Sequence, residues 1–412
     1  MMRARREIER SRLVMGGSVI ATVMLGAATA LVACSVSPDP DLDPRPDDDG
    51  VKVPTGDAAV EAATPDADAG SDVDAGPPDR CSAEDFCHTE VPDLQTLRGG
   101  WSDENGIAWA ISGEGAILRW DGAKWSVHAS GLGTLVSIWG SGPTDIWVGS
   151  TNALHHGQGA SSATLTFTEV TGLPGDPTPI TSIWGTGPDD VWAAGPKDDP
   201  GYQGRVLHYT GAASGWSLDG ASAEPIQYAR VWGSPASGVW LAGTRNNPKN
   251  IPELAVRRRP AGASDFVDVL IPGDGAYAPD NPYAKLNKVW AVSTSLDDTM
   301  WIVGEQAFGR PGYVRGVTSD GGQTYAWSYV ALPDKSTLVP NAIWGISADD
   351  AWLAGDFGRL WHWDGARWKQ AFITITKFPV VDPFYGIWGR ATKDLWVGGA
   401  GIAMHRDLPK KP

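Results

Sequence analysis

The sequence predicts an all-β chain folded as a seven-bladed β-propeller of four-stranded blades. Three observations predict it. A Trp-rich phrase recurs: SIWGSGPTDIWVGS at residues 137–150, SIWGTGPDDVWAAG at 182–195, AIWGISADDAWLAG at 342–355 and GIWGRATKDLWVGG at 386–399. Its first Trp falls at Trp101, Trp139, Trp184, Trp232, Trp290, Trp344 and Trp388, and its second at Trp109, Trp147, Trp192, Trp240, Trp301, Trp352 and Trp396. Those seven copies imply a repeat of about 45 residues, the length of one propeller blade. Finally, strong helix formers are scarce after the N-terminus, whereas 21 Trp and 51 Gly in 412 residues suit short strands and tight turns.

Each unit reads as four strands. The paired Trp residues are eight apart in every copy but the fifth, where the gap is eleven. With residues 141–145 as a hairpin loop, Gly140 falls opposite Ile146 and Trp139 opposite Trp147, so both indoles share one face of the blade. A third strand follows, as in ILRW at 117–120, VLHY at 206–209 and LWHW at 360–363. Then come a turn and an aromatic: DGAKW at 121–125, Gly211 to Trp216, and DGARW at 364–368. The phrase Trp residues bury on the order of 200 Å² each and act as mortar between blades.

The last copy lacks its fourth strand, because only residues 402–405 and a polar end follow Trp396. Residues 86–91, FCHTEV, precede Trp101 by the interval that separates other fourth-strand aromatics from the next phrase. They are expected to complete the seventh blade and close the ring. Cys81 and Cys87, if outside the cytoplasm, form a disulfide that pins this strand; a metal site with His88 is the competing reading and lacks a fourth ligand.

Upstream lie an address and a tether. Arg3, Arg5, Arg6, Arg10 and Arg12 precede an apolar run at 13–33, about long enough to span a membrane if uncleaved. The run ends in Leu31-Val32-Ala33-Cys34, which resembles the bacterial lipobox. That resemblance implies cleavage before Cys34, lipidation of Cys34, and an extracytoplasmic protein. Ser35 at the next position points by analogy to the outer membrane. Residues 35–80 hold thirteen acidic and three basic side chains and no aromatic, a balance of −10 within a total of −16. Such a segment stays unfolded and spans about 40 Å. The run DADAGSDVD at 66–74 spaces carboxylates as a calcium loop does, but it lacks the closing Glu and reads as linker. The expected order is leader 1–33, lipidated tether 34–80, propeller 81–408 and tail 409–412. Without a basic surface, neither nucleic acid nor an anionic membrane is an expected partner, and membrane contact runs through the lipid alone.

The repeat resembles the Trp-rich, BNR-like propeller repeats of secreted bacterial lipoproteins. Thr318, Asp320, Gly322, Thr324 and Tyr325 resemble the Asp-box, which in that family is a structural turn between third and fourth strands. The resemblance covers residues 86–405 and implies architecture rather than activity.

No catalytic set, metal site or cofactor motif is assignable. A sialidase arginine triad is not found, and FGRP at 308–311 falls in the wrong unit for one. Asp145, Asp190, Asp350 and Asp394 precede the second Trp by two residues and read as acceptors for backbone N–H groups in the hairpin loop. His155, His156, His208, His362 and His405 lie on third strands of different blades and read as packed strand residues. Arg257, Arg258 and Arg259 alternate across one strand and form no single patch. The long loops are 171–179, 196–205, 244–254, 271–287, 305–313 and 376–386; all belong to connections that emerge on one face. They carry Tyr202, Tyr277, Tyr283, Phe308, Phe378, Phe384 and Tyr385. The expectation is a monomeric binding module for a glycan or protein partner. The alternatives are a polysaccharide hydrolase or lyase, which needs convergence among Asp199, Asp274, Asp280 and Asp382, and an envelope-assembly scaffold.

Overall fold

A computed structural model describes residues 80–407 apart from 104, 198–202, 276–280, 282–283, 333–338 and 392–393. The expected leader, Cys34 and nearly all of the tether lie outside the described residues.

Seven four-stranded antiparallel sheets stand in sequence. From the innermost strand outward, blade 1 is Leu97–Ser102, Ala108–Ser112, Ile117–Trp120 and Trp125–Ala129. Blade 2 is Leu135–Gly142, Asp145–Ser150, Leu154–Gln158 and Thr166–Glu169, and blade 3 is Ser182–Gly187, Asp190–Pro196, Gly204–Tyr209 and Trp216–Leu218. Blade 4 is Gln227–Ser234, Gly238–Asn246, Pro252–Arg259 and Val267–Val269, and blade 5 is Leu286–Thr294, Met300–Gln306, Pro311–Val317 and Ala326–Tyr329. Blade 6 is Pro340–Ser347, Asp350–Gly355, Leu360–Trp363 and Trp368–Ala371. Blade 7 takes Phe384–Ala391, Asp394–Gly399 and Ile402–Asp407, and its outer strand is Cys87–Thr89, with Cys87 opposite His405 and Thr89 opposite Ala403. Cys81 and Cys87 are disulfide-bonded, S–S 2.04 Å.

The register follows the Trp spacing. Trp139 lies opposite Trp147 and Gly140 opposite Ile146. The same Trp pairing holds in blades 1, 3, 4, 6 and 7. The turn is tighter than the sequence suggested, since Gly142 already pairs with Asp145 and Ser141 is bulged out.

Blade 5 departs from the expectation. There Ser293, not Trp290, lies opposite Trp301. The spacing of eight is therefore kept, with Ser in the place of the first Trp. Trp290 sits three residues earlier, where the inner strand bulges between Val289 and Ala291.

The second Trp of every blade is buried and meets aromatics of the following blade edge-on. Trp109 meets Phe167, Trp147 meets Trp216, Trp192 meets Phe266 and Trp240 meets Tyr325, at 5.1–5.9 Å between centroids. Trp301 meets Trp368 at 5.8 Å and Trp352 meets Phe86 at 5.3 Å. Trp396 meets Trp120 at 5.1 Å and Trp125 at 5.0 Å across the seam between last and first blades. Edge-to-face pairs of this kind add about 0.5–1.5 kcal/mol each beyond buried area.

The first Trp serves a different joint. A Cβ added at Gly140 would lie 2.9 Å from Trp101, and one at Gly185 would lie 2.8 Å from Trp139. The Gly after the first Trp in blades 2, 3 and 4 is thus a seat for the preceding blade's indole. In blade 6, where that preceding indole is missing, the space over Gly345 is taken by Trp301.

The phrase Asp accepts from a His side chain of the third strand rather than from the hairpin backbone. His156 Nε2 lies 2.5 Å from Asp145, His208 2.7 Å from Asp190, His362 3.0 Å from Asp350 and His405 2.9 Å from Asp394. Each imidazole lies flat on the second Trp of its blade, with centroids 3.5–4.2 Å apart. The backbone-acceptor reading of these carboxylates therefore missed their main partner, and four of the His residues are structural plates. His155 falls on the other face of its strand and is buried, which lowers its pKa.

Blades 1, 4 and 5 lack the Asp and place Arg119, Arg258 and Arg315 opposite the second Trp. These guanidiniums reach the following blade. Arg119 donates to Ser162 Oγ at 2.9 Å, Arg315 to the Ala348 carbonyl at 2.8 Å, and Arg258 to the Gln323 carbonyl at 2.7 Å. Arg257, Arg258 and Arg259 point alternately: Arg257 to Asp268, Arg258 into the blade 4–5 joint, and Arg259 over Trp192.

The turns explain the remaining motifs. Asp121 Oδ1 accepts the N–H groups of Ala123 and Lys124 at 2.9 Å, and Gly122 takes φ 99°, so an Asp-Gly turn ends each such hairpin. Asp320 does the same in a wider turn. It accepts from Gln323 N, Thr324 N and Thr324 Oγ1, while Thr318 Oγ1 accepts from Gly322 N. Those bonds hold the Asp320 carboxyl far below the usual range. Tyr325 packs on Trp240, and burial pushes its hydroxyl up to about 12.

Candidate functional site

The innermost strands surround a central channel, and one end of it is built from irregular backbone. Each inner strand but that of blade 3 bulges three residues before the first-Trp position, at Arg98, Val136, Ala229, Trp290, Asn341 and Tyr385. In blade 3 Thr181 holds that place, its N–H bonded to the Ala194 carbonyl. A bulge re-aims a side chain out of the ladder. Here it turns the start of each inner strand toward the axis, on the face where the long loops emerge. The cavity so formed measures about 470 Å³ and is lined by Arg98, Val136, Thr181, Arg230, Trp290, Asn341 and Tyr385 at its mouth. Indoles of Trp101, Trp139, Trp184 and Trp344 wall it below.

Arg230 is the more deeply set of the two charged groups lining this channel. Its Nε and Nη2 donate to the Trp290 carbonyl, and its Nη1 to the carbonyls of Ala229 at 2.9 Å and Thr181 at 3.4 Å. It bridges the inner strands of blades 3, 4 and 5 without a carboxylate partner, and burial lowers its pKa to about 10. Arg98 enters from the other side and lies over the Tyr385 ring, 4.4 Å from its centroid. Asn341 Nδ2 donates to Asp356 at 3.0 Å and to the Phe384 carbonyl at 2.9 Å, which ties blade 6 to blade 7 at the rim.

The second feature is a set of exposed aromatics on the same face. Phe308, between the second and third strands of blade 5, is 86% exposed with φ 64°. Phe357, in the equivalent loop of blade 6, is 71% exposed with φ 58°. A bulky aromatic in the left-handed region is an outlier that the surrounding structure must hold in place. Phe378 is 75% exposed on a small hairpin pairing Thr374–Ile375 with Phe378–Pro379, turned at Thr376 and Lys377, both with positive φ. Phe372 and Val381 flank it and are also exposed. The Phe357 loop abuts this hairpin, since a Cβ at Gly358 would overlap the Val380 carbonyl.

The aromatics named from sequence thus divide. Phe308 and Phe378 are exposed. Tyr385 lines the channel mouth. Phe384 is a correction: it is fully buried between blades 6 and 7, because it pairs with Gly399 on the inner strand and packs beside Phe86 in that core. Tyr202, Tyr277 and Tyr283 lie outside the described residues, as do Asp199 and Asp280. Of the remaining two carboxylates, Asp382 is exposed and Asp274 is partly buried. Sequence reasoning missed Arg98, Arg230 and Trp290 as channel residues, and Phe357 as an exposed aromatic. The one available signal was the eleven-residue Trp gap, which marks Trp290 as out of register. Among the described residues no group of three or more His, Cys, Asp or Glu could hold a metal ion, and no helix is long and apolar enough to cross a membrane.

No protein-family model and no curated protein matches the chain. Solved structures share its fold at low identity. YCF48 bound to D1 peptide is 13% identical with TM-score 0.55, covering 79% of this chain and 97% of that one. A catalytically inactive virginiamycin B lyase from Staphylococcus aureus with quinupristin is 14% identical with TM-score 0.56, covering 78% and 99%. PorZ, a bacterial surface component of the type-IX secretion system of Porphyromonas gingivalis, is 13% identical with TM-score 0.55, covering 77% of this chain and 47% of that one. At such identities the likeness is one of fold, a β-propeller.

Proposed function

We propose that this protein is a binding module that presents its loop-bearing face to a protein partner. The observation that carries the reading is the rim of exposed phenylalanines, Phe357, Phe372 and Phe378, held on strained or tightly turned backbone over blades 6 and 7. Exposed apolar side chains cost solubility, and rigid placement lowers the entropy lost on docking. Neighbours of the same fold described as peptide-bound or as part of a secretion system support a protein partner. A glycan partner rests chiefly on the three tyrosines outside the described residues. A hydrolase or lyase finds support only in the shared fold of the lyase neighbour. The lipobox-like LVAC at 31–34 and the acidic segment after it support a lipid anchor at Cys34 on a flexible tether, and the Cys81–Cys87 disulfide suits an oxidising compartment. The protein would then work outside the cytoplasm, at the outer membrane.

The test compares the full chain with a Phe357→Asp/Phe378→Asp variant in cross-linking from envelope extract, followed by direct binding to each purified partner. A partner that binds wild type and loses about tenfold or more in the variant supports the reading. Equal capture by both removes the rim from it. A glycan array run in parallel, with Tyr283→Ala and Tyr385→Ala, would replace it with a lectin if sugar binding is saturable and lost in those variants. Release of a Cys34→Ser chain from the membrane fraction is the expected sign of the anchor.

A further inference from the structure

We propose that the channel mouth is a second binding site, for a small organic acid with two carboxylates, each held by one of the guanidiniums of Arg98 and Arg230. The site is independent of the phenylalanine rim.

Charge is the first argument. The protein carries a net charge of −16, yet no described residue lining the channel is Asp or Glu. Its two charged side chains, Arg98 and Arg230, are both cations. At the rim Asp356 is engaged by Asn341 at 3.0 Å, and Glu114 by the Thr96 N–H at 2.8 Å. A cation within a low-dielectric wall is costly unless an anion completes it. Elsewhere Arg245 pairs with Glu253 and Asp268, while Arg258 and Arg315 lie over indoles and donate to carbonyls.

Donor geometry is the second. Arg230 commits four of its five N–H groups to carbonyls of Trp290, Ala229 and Thr181, which fixes the guanidinium plane and leaves one Nη2 N–H. Its position is set by the backbone of three blades rather than by a counter-ion. That is the preorganisation a binding site needs. Arg98, an exposed side chain, lies over the Tyr385 ring in cation–π contact and beside Gly113 of its own blade.

Position is the third. Arg98 belongs to blade 1 and leans on blade 7, while Arg230 belongs to blade 4 and bridges blades 3 and 5. In a ring of seven these lie on opposite sides of the axis. Two cations lining an indole-walled cavity of about 470 Å³ from different sides suit an apolar body with a carboxylate at each end. Thr181, Asn341 and Tyr385 line the same mouth.

The test is calorimetric titration of the full chain with succinate, glutarate, adipate and pimelate, each beside the monocarboxylate of the same carbon number. Fluorescence of the channel indoles gives a second readout. The best diacid should bind about tenfold or more tighter than its monoacid, the effect of one further charged hydrogen-bonded pair. Arg98→Gln should remove that advantage. Val136→Asp, which sets a carboxylate into the mouth without touching either arginine, should abolish binding. Arg230→Gln should do likewise if it folds; because Arg230 also ties three blades, the first two variants decide. Absence of saturable binding by any diacid, equal affinity for diacid and monoacid, or unchanged affinity in Val136→Asp would each overturn the proposal. Diacid binding that persists in Phe357→Asp/Phe378→Asp separates this site from the partner rim.

Discussion

His405 lies flat on Trp396, with ring centroids 3.8 Å apart and 6° from parallel, while its Nε2 is held by Asp394 at 2.9 Å. The same triad recurs in blades 2, 3 and 6. Where Asp is replaced by Ile107, Gly238 or Thr299, the plate is Arg119, Arg258 or Arg315. The two solutions obey one constraint. A polar plate on a buried indole needs a partner for its N–H groups, supplied within the blade by a carboxylate or from the next blade by a carbonyl or hydroxyl. Carboxylate and imidazole therefore go together, and so do the missing carboxylate and the guanidinium.

The triads make stability sensitive to acid. The His208 hydrogen bond, with help from Thr186 and Trp192, lowers the Asp190 pKa to about 2 from an ordinary value of 3.8. A depressed carboxyl contributes stability that is fully present above the ordinary value and is lost as pH falls through the folded one. Urea midpoints should therefore drop between about pH 4 and pH 2. Asp190→Asn should lower stability at pH 7 and flatten its share of that acid slope. An unchanged slope in the variant would show that other carboxyls set it.

Glycines beneath the first Trp should not tolerate a methyl group. Gly140→Ala would press a Cβ within 2.6 Å of the Ile146 methyl and 2.9 Å of Trp101, and overpacking of this kind costs about 1–3 kcal/mol. Gly142, two residues on, has nothing within 4 Å of the same atom. Gly142→Ala should leave the unfolding midpoint close to wild type. Equal loss in both variants would assign the effect to backbone freedom rather than to the indole seat.

Much of this architecture was legible because Trp is conspicuous and a hairpin has period two. The spacing of eight places Trp139 opposite Trp147, as the strands show. The same conspicuousness misled at Trp290, where a Trp stands near the phrase but the register position belongs to Ser293. Phe384 and Tyr385 are adjacent aromatics that looked alike in a loop; the inner strand starts there, so one enters the core and the other the channel. The channel cations were illegible. Arg98 and Arg230 lie far apart in sequence, and only ring closure brings their blades around one axis.

Closure itself is the most exposed joint to test. Phe86 packs edge-on against Trp352 at 5.3 Å, and Cys87–Thr89 pairs with Ile402–Asp407. Phe86→Ala should cost about 3–5 kcal/mol, as expected for a buried aromatic reduced to Ala. Reduction of Cys81–Cys87 removes a short loop constraint and should cost about 2 kcal/mol. The two losses differ in kind. Phe86→Ala opens the joint between blades 6 and 7, whereas reduction lets the outer strand fray first. Amide hydrogen exchange separates them: after reduction, protection should fall at His88 and in Ile402–Asp407 while Trp352 and Leu353 keep theirs. Protection at Met404 that ignores both changes would mean that this outer strand does not hold the seventh blade in solution.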